Sequence, residues 1–275
     1  ENGKMPAHKL EELSRDVVTA QENISQSHYE EIVADPQKAR NDLERLAGLS
    51  AREVFILVDR SGSMMAEDEN PTGARTNGTW TRWDSARVAA ESISELSLSL
   101  DADNNVDVML WDGGRTGELQ AKHETMTNVS QITKLFRDNP PEQGNTPLAE
   151  ALEEVYQAKL RSLLQKSEPF TVIVLTDGAP NDGAKVKRFF QKVARENNLG
   201  ERGRETLAAF SFVRMGDDAG AVRFLEDLDD NLISQMNMSV DIVDTKEDNF
   251  LFGTGKYRSM DSVGPFALFW DALYD

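Results

Sequence analysis

Five oxygen-bearing side chains lie in three short segments of the sequence, and their chemistry suits a hard metal ion. They are Asp59, Ser61, Ser63, Thr146 and Asp177. Carboxylate and hydroxyl oxygens are ligands that Mg²⁺, Mn²⁺ and Ca²⁺ accept. Because Gly62 allows the first segment to curl, one carboxylate and two hydroxyls can point to a common centre. The residue types therefore predict a site for one divalent cation, with Mg²⁺ preferred and Mn²⁺ or Ca²⁺ as alternatives.

The two aspartates stand at the ends of predicted buried strands. Glu53–Asp59 and Phe170–Thr176 are nearly continuous apolar runs of strand length, a pattern typical of parallel strands that are covered on both faces. The first run ends at Asp59, and Asp177 follows the second directly. Ligands bind outside the carboxyl ends of such strands, so we expect both carboxylates at one edge of the sheet.

The rest of the chain alternates between strand and helix patterns. Further strands are predicted at Val106–Trp111, Gly117–Glu124, Leu207–Val213 and Val240–Val243, and helices at Thr81–Leu100, Asn128–Arg137, Pro147–Leu164, Asp182–Asn197 and Ala219–Leu228. The second of these strands has weak alternation and is expected at an edge. Strands that alternate with helices predict an α/β fold with a mostly parallel sheet and helices on both faces.

These motifs resemble those of the von Willebrand factor A family. Asp59, Ser61 and Ser63 match its D-x-S-x-S motif, Thr146 its isolated threonine, and Asp177 its T-D-G loop. Together they correspond to the metal-ion-dependent adhesion site of that family. The resemblance covers about residues 52–245 and implies the family's Rossmann-like, doubly wound sheet with one antiparallel edge strand.

The resemblance also implies a function. A cation held at such a site keeps a coordination position open to solvent, and a partner protein can fill it with the carboxylate of an Asp or Glu. The segments G-N-T-P-L-A, L-T-D-G-A-P-N-D and D-I-V-D-T are similar to those of intracellular prokaryotic members, the TerY-like and AAA+ ATPase-associated groups. The expected function is therefore a metal-dependent protein-interaction module, acting as an adaptor or assembly factor.

Two alternatives stay open at this stage. A Mg²⁺-dependent hydrolase or phosphotransferase could use the same metal, but both aspartates are already assigned as ligands and no histidine is placed nearby, so we predict that the chain is not an enzyme. Alternatively, Ser61 and Ser63 could cap a helix while the aspartates bond to loop amides. That arrangement does not explain why all five side chains share one edge.

The loop at residues 64–80 carries a further acidic group. Glu67, Asp68 and Glu69 lie next to the predicted cation, where they could hold a second metal or contact the partner. A solvated loop is the competing interpretation.

Composition excludes several other classes of protein. The net charge of −18 disfavours binding to nucleic acid, and the absence of cysteine excludes disulfides and thiolate zinc sites. No run approaches the roughly 20 apolar residues that span a bilayer, and no signal peptide is visible, so a cytoplasmic location is expected. The predicted organisation is a helical extension at 1–50, the main domain at 51–245, and a C-terminal segment with a docking helix at 246–275.

Overall fold

The computed structural model describes residues 50–68, 79–100, 104–142 and 144–247. The predicted N-terminal extension lies outside the described residues except for Ser50. The predicted C-terminal segment also lies outside them except for Lys246 and Glu247, which belong to the last strand. Both segments therefore remain predictions.

Strands and helices alternate through the described residues. The strands are β1 (Glu53–Asp59), β2 (Val106–Asp112), β3 (Gln120–Met126), β4 (Phe170–Thr176), β5 (Ala208–Arg214) and β6 (Val243–Glu247). The helices are α1 (Arg82–Leu100), α2 (Val129–Asp138), α3 (Leu148–Val155), α4 (Arg161–Lys166), α5 (Gly183–Glu196) and α6 (Ala219–Met236). A 3₁₀ turn, Gly62–Met65, follows β1, and a π-helical segment, Tyr156–Leu160, joins α3 to α4. Among these helices, none combines the length and the apolar character needed to cross a membrane.

The described strands form one sheet in the order β3-β2-β1-β4-β5-β6. β1 pairs in parallel with β2 and β4, and β5 continues the parallel series between β4 and β6. Only β3, at the edge, pairs antiparallel, with β2. The predicted fold class, a mostly parallel sheet with one antiparallel edge strand, is thereby confirmed.

Different helices cover the two faces of the sheet. On one face, Phe55 and Leu57 of β1 pack in an apolar cluster with α3, α5 and α6. On the other, Ile56 and Val58 pack with α1 and α2. Because β1 is buried on both faces, its side chains alternate between two cores, and continuous apolar sequence is the result. The ends of the strands, rather than their faces, remain to hold polar groups.

The last helix and the last strand differ from the prediction. The sequence predicts a helix at Ala219–Leu228 and a strand at Val240–Val243, whereas α6 continues for about two more turns and β6 begins where the predicted strand ends. Acidic residues interrupt the apolar spacing after Leu228, yet Leu232 extends the buried face of the helix. β6 lies at the edge of the described sheet, where polar residues are tolerated and no apolar run marks the strand.

The N-terminus of α6 carries a side-chain cap. The Asp218 carboxylate accepts hydrogen bonds from the amides of Gly220 at 2.9 Å and Ala221 at 2.8 Å. We expect Asp218→Ala to lower the free energy of unfolding by about 1 kcal/mol, because these amides lose their acceptor. Urea unfolding measures the change. Asp218→Asn keeps an acceptor and should stay near the wild type, so an equal loss in both variants would contradict the capping role.

Candidate metal site

Three strand ends lie side by side at one edge of the sheet. β1 lies between β2 and β4, and its register pairs Asp59 with Trp111 and Val58 with Leu175. The carboxyl ends of all three strands therefore reach the same level. The last residues of these strands are Asp59, Asp112 and Thr176.

The loop after β1 curls back over this edge. The amide of Ser61 donates to Asp59 Oδ1 at 2.8 Å, and the amide of Met64 donates to the Ser61 carbonyl at 3.1 Å, within the 3₁₀ turn. The Met64 side chain is fully buried and anchors the turn in the core. As a result, Ser61 Oγ and Ser63 Oγ lie 3.0 Å apart.

The structure joins these hydroxyls to the second aspartate. Ser63 Oγ donates to Asp177 Oδ1 at 2.8 Å, so Ser61, Ser63 and Asp177 form a continuous row of oxygens. Ser61 and Asp177 are buried, while Ser63 is exposed. The row therefore begins inside the protein and has one member at the surface.

Thr146 reaches the same edge through the loop that follows Asp177. The amide of Asn181 donates to the Thr146 carbonyl at 3.2 Å, and Asn181 Oδ1 accepts from the Thr146 amide at 3.4 Å. The Thr146 hydroxyl lies 3.6 Å from the position that a Cβ on Gly178 would occupy. All five residues predicted from the sequence thus lie at this edge, Asp59 at the end of β1 and the other four in the three segments that follow or precede the neighbouring elements.

Asp59 lies behind the row and has no exposed surface. In addition to the Ser61 amide, it accepts a hydrogen bond from Thr176 Oγ1 to its Oδ2 at 2.7 Å. Burial raises the pKa of the Asp59 carboxyl to about 7, against the opposing effect of these hydrogen bonds, and repulsion from Asp177 adds to the rise. Asp59 therefore fixes the loop from beneath.

An arginine that the sequence did not predict contacts Asp177. Nη1 of Arg82, the first residue of α1, lies 2.8 Å from Asp177 Oδ2. Neither motif nor spacing could reveal this pair, because 95 positions separate the two residues. The residues around an arginine in the sequence also do not determine which way its side chain points. The site therefore includes a positive charge that the sequence did not predict.

A second arginine is paired at the same edge. Arg60 binds the buried Asp112 through Nε at 2.8 Å and Nη2 at 2.6 Å, and the amide of Gly114 donates to the other carboxylate oxygen at 2.6 Å. The sequence-based prediction also left Asp112 out of the site. Its position did indicate a role there, because Asp112 ends a strand as Asp59 does. This pair holds the loop after β1 against the end of β2.

The structure agrees only in part with the alternative in which Ser61 and Ser63 cap a helix and the aspartates bond to loop amides. Ser61 does precede the 3₁₀ turn, but its side chain makes no capping hydrogen bond. Asp59 does bond to a loop amide, that of Ser61. The two serine hydroxyls are directed instead to each other and to Asp177, which capping does not require.

The acidic loop is described only in part. The Asp68 carboxylate accepts a hydrogen bond from Ser85 Oγ at 2.7 Å, and the Asp68 amide donates to the Trp80 carbonyl at 2.9 Å. Glu67 is exposed and Glu69 lies outside the described residues. Within residues 50–68, 79–100, 104–142 and 144–247, no three Asp, Glu, His or Cys side chains are placed to hold a metal together. A second cation here remains a prediction.

The oxygen spacing of the row fits a small divalent cation. An octahedral Mg²⁺ with ligands at about 2.0–2.1 Å places neighbouring ligand oxygens about 2.9 Å apart. The observed separations are 3.0 Å between the two serine hydroxyls and 2.8 Å between Ser63 and Asp177. These are also hydrogen-bond distances, so a cation can replace the hydrogen bonds with little movement of the oxygens. Ca²⁺ has longer bonds, about 2.3–2.6 Å, but binds six to eight oxygens, so neighbouring ligands in its more crowded shell can be equally close and the spacing does not separate the two ions.

The chain is similar to known proteins in part of its sequence and in its fold. Residues 54–179 match the family model described as "von Willebrand factor type A domain". No curated protein matches the chain.

Solved structures with a similar chain trace are distant in sequence. The SpRpn10 VWA domain is 13% identical, covers 71% of this chain and 87% of its own, and has a TM-score of 0.48. Manganese-loaded TRAP protein of Plasmodium vivax is 18% identical, with 73% and 70% covered and a TM-score of 0.47. The conserved hypothetical protein BatB from Bacteroides thetaiotaomicron is 16% identical, with 61% and 72% covered and a TM-score of 0.41.

The matched segment and the observed sheet agree with each other. The family match begins in β1 and ends just after Asp177, so it includes all five candidate residues. The six-stranded, mostly parallel sheet with one antiparallel edge strand is the fold that this family implies. Residues 54–179 are therefore similar to a von Willebrand factor type A domain, and the fold of the described residues agrees with that similarity.

Proposed function

We propose that the domain binds one divalent cation at Asp59, Ser61, Ser63, Thr146 and Asp177 and uses it to bind a carboxylate of a partner protein. The observation that carries this proposal is the row of oxygens from Ser61 through Ser63 to Asp177 at the carboxyl edge of the sheet. Only hard oxygen ligands are present in the set, as Mg²⁺ requires. Mg²⁺ is the preferred ion of the proposal, with Mn²⁺ and Ca²⁺ as alternatives.

The five residues have different roles in this proposal. Ser61, Ser63 and Thr146 supply neutral hydroxyls that contact the ion. Asp177 supplies a carboxylate at the end of the row, directly or through water, and Asp59 acts from behind because it is enclosed. When bound, the cation supplies a positive charge with an open coordination position. With no more than two carboxylates around it, the ion keeps an attraction for one more anionic oxygen.

The exposed middle member of the row indicates where a partner would bind. Ser63 is exposed, whereas Ser61 and Asp59 are buried behind it. A ligand that completes the coordination must therefore approach from the solvent side. The Asp or Glu of a folded partner can do so, and its carboxylate has the hard oxygens that the ion prefers.

Binding accounts for the site better than catalysis does. A general base must come within hydrogen-bond reach of the substrate, and Asp59, the carboxyl whose pKa is raised to about 7, has no exposed surface and already accepts two hydrogen bonds. Asp177 is bonded to Ser63 and Arg82. We therefore propose that the domain is an interaction module and not an enzyme.

The amino-acid sequences of the loops suggest a cellular role for the proposed binding. We infer a cytoplasmic adaptor or assembly factor, with an AAA+ ATPase system as the partner class. This part rests on the resemblance of the segments around Thr146 and Asp177 to intracellular prokaryotic members. The partner need not be an ATPase for the metal-dependent mechanism to hold.

Capture from a cell extract tests the proposed function. We expect the immobilised chain to retain a partner in Mg²⁺ and to release it in EDTA. The double variant Ser61→Ala/Ser63→Ala should retain nothing above background, because two hydroxyl ligands are lost. Circular dichroism of the variant controls for folding. Capture that is indifferent both to EDTA and to the double substitution would contradict the proposal.

A further inference from the structure

Arg82 is held at the candidate metal site by several contacts. Its Nη1 lies 2.8 Å from Asp177 Oδ2, and its Nη2 lies 3.7 Å from the exposed carboxylate of Asp217. The Arg82 side chain is 15% exposed and that of Asp177 is fully enclosed. The backbone amide of Arg82 donates to the Ala66 carbonyl at 3.1 Å, which ties the start of α1 to the loop that carries the two serines.

Gly216 provides the space in which the Arg82 side chain lies. Its φ of +74° is a left-handed conformation that favours glycine. A Cβ at this position would lie 2.4 Å from Arg82 Nε and 2.9 Å from Arg82 Cζ. The guanidinium therefore runs directly over the backbone after β5, at a distance that a side chain on residue 216 would not permit.

The location of the guanidinium conflicts with that of a cation. The two oxygens of Asp177 are bonded to Ser63 and to Arg82, respectively. An ion coordinated at the row of oxygens would lie within a few ångströms of the guanidinium, and like charges at such a distance repel each other by several kcal/mol where solvent is partly excluded. Metal binding must therefore overcome or displace the Arg82–Asp177 pair.

We propose that Arg82 is a resident countercharge that competes with the divalent cation for Asp177 and thereby lowers the metal affinity of the site. The inference rests on the proposed function, because it requires a cation at these oxygens. Without metal, Arg82 neutralises a buried carboxylate that would otherwise be unpaired, which is costly. The same residue thus stabilises the metal-free protein and weakens metal binding.

Calorimetric titration with Mg²⁺ and with Mn²⁺ tests the inference. We expect Arg82→Gln to bind both ions at least about tenfold more tightly than the wild type, because the competing charge is gone. The matched control is Arg60→Gln, which removes the same charge at the same edge but from Asp112. Its affinity should change by less than about threefold, because Arg60 is paired with Asp112 and Glu142 and does not compete for an oxygen of Asp177.

Thermal unfolding gives a readout that is independent of affinity. In EDTA, Arg82→Gln should have a lower melting temperature than the wild type, and saturating Mg²⁺ should raise that temperature more than it does in the wild type. If Arg82→Gln does not fold, Arg82→Met serves instead, since it removes the charge and keeps a long apolar stem in the same space. It should also tighten metal binding.

The outcomes distinguish this inference from the proposed function. Metal binding by the wild type that is lost in Asp177→Asn but unchanged or weaker in Arg82→Gln would overturn the role of Arg82 and leave the metal site standing. An equal gain in metal affinity in Arg60→Gln and Arg82→Gln would mean that any loss of positive charge at this edge has the same effect. That result would also overturn the specific role of Arg82. Failure of the wild type and Arg82→Gln alike to bind either ion would overturn both.

Discussion

Asp177→Asn should abolish binding of Mg²⁺ and Mn²⁺, with a loss in affinity of at least about 100-fold. The substitution keeps the shape of the side chain but removes one of the two carboxylates near the row of hydroxyls. It also removes the closer of the two carboxylates that contact Arg82. We therefore expect the free energy of unfolding of the metal-free protein to fall by about 1–3 kcal/mol. Calorimetric titration measures the first effect and urea unfolding the second.

The same loop contains a matched control for this variant. Asp182 caps α5, where its Oδ1 accepts from the Lys185 amide at 3.0 Å. Asparagine caps helices as well as aspartate does, so Asp182→Asn removes one negative charge close by and leaves the cap in place. Its metal affinity should stay within about threefold of the wild type. Equal losses of metal affinity in both variants would mean that Asp177 acts only through its negative charge and not as a ligand.

Asp59→Asn should abolish metal binding and at the same time stabilise the metal-free protein. In EDTA at pH 8 we expect a gain of about 2–4 kcal/mol in the free energy of unfolding, because the amide replaces a buried carboxylate without its charge. Its hydrogen bonds survive, since an amide can accept from the Ser61 amide and donate to Thr176 Oγ1. Such a gain would show that Asp59 is retained at the expense of stability, as residues at functional sites often are.

The pH dependence of stability has a definite sign. Burial raises the pKa of Asp59 to about 7 in the folded protein, from an ordinary value of 3.8. The folded state therefore holds a proton that the unfolded state has released, and the metal-free wild type loses stability as the pH rises from about 4 to about 7. Asp59→Asn should lack this loss, so the two proteins should differ little at pH 4 and most at pH 8.

Asp112→Asn is the contrasting variant for this experiment. Asp112 is buried at the end of the neighbouring strand, but Arg60 binds it. Its replacement removes the closer and more buried of the two carboxylates that pair with Arg60 and should therefore lower stability. If Asp59→Asn proved less stable than the wild type at pH 8 in EDTA, the burial of an unneutralised charge at this position would be refuted.

The five candidate residues could be predicted because their positions follow from local rules. A continuous apolar run predicts a buried parallel strand. A carboxylate at the end of that run predicts a polar group at the sheet edge where ligands bind. Asp59 and Asp177 both satisfied this pattern, and β1 and β4 lie next to each other with their ends level. The serines and Thr146 follow from short motifs in the loops at that edge.

The contacts that modify the site could not be predicted in the same way. Arg82 reaches Asp177 only because α1 packs beside β1 and because Gly216 leaves room for its side chain, and both conditions are set by tertiary structure. Thr176 is an intermediate case. The register that pairs Val58 with Leu175 places Thr176 next to Asp59, but a register is known only once the strands are paired.

Titration of the EDTA-stripped protein with Mg²⁺ and Mn²⁺, alongside Ser61→Ala/Ser63→Ala, tests the central claim most directly. We predict saturable binding of one ion per chain to the wild type and no measurable binding to the double variant, whose circular dichroism should match that of the wild type. Absence of binding to the wild type, or binding that persists in the folded double variant, would contradict the assignment of a metal to this edge of the sheet.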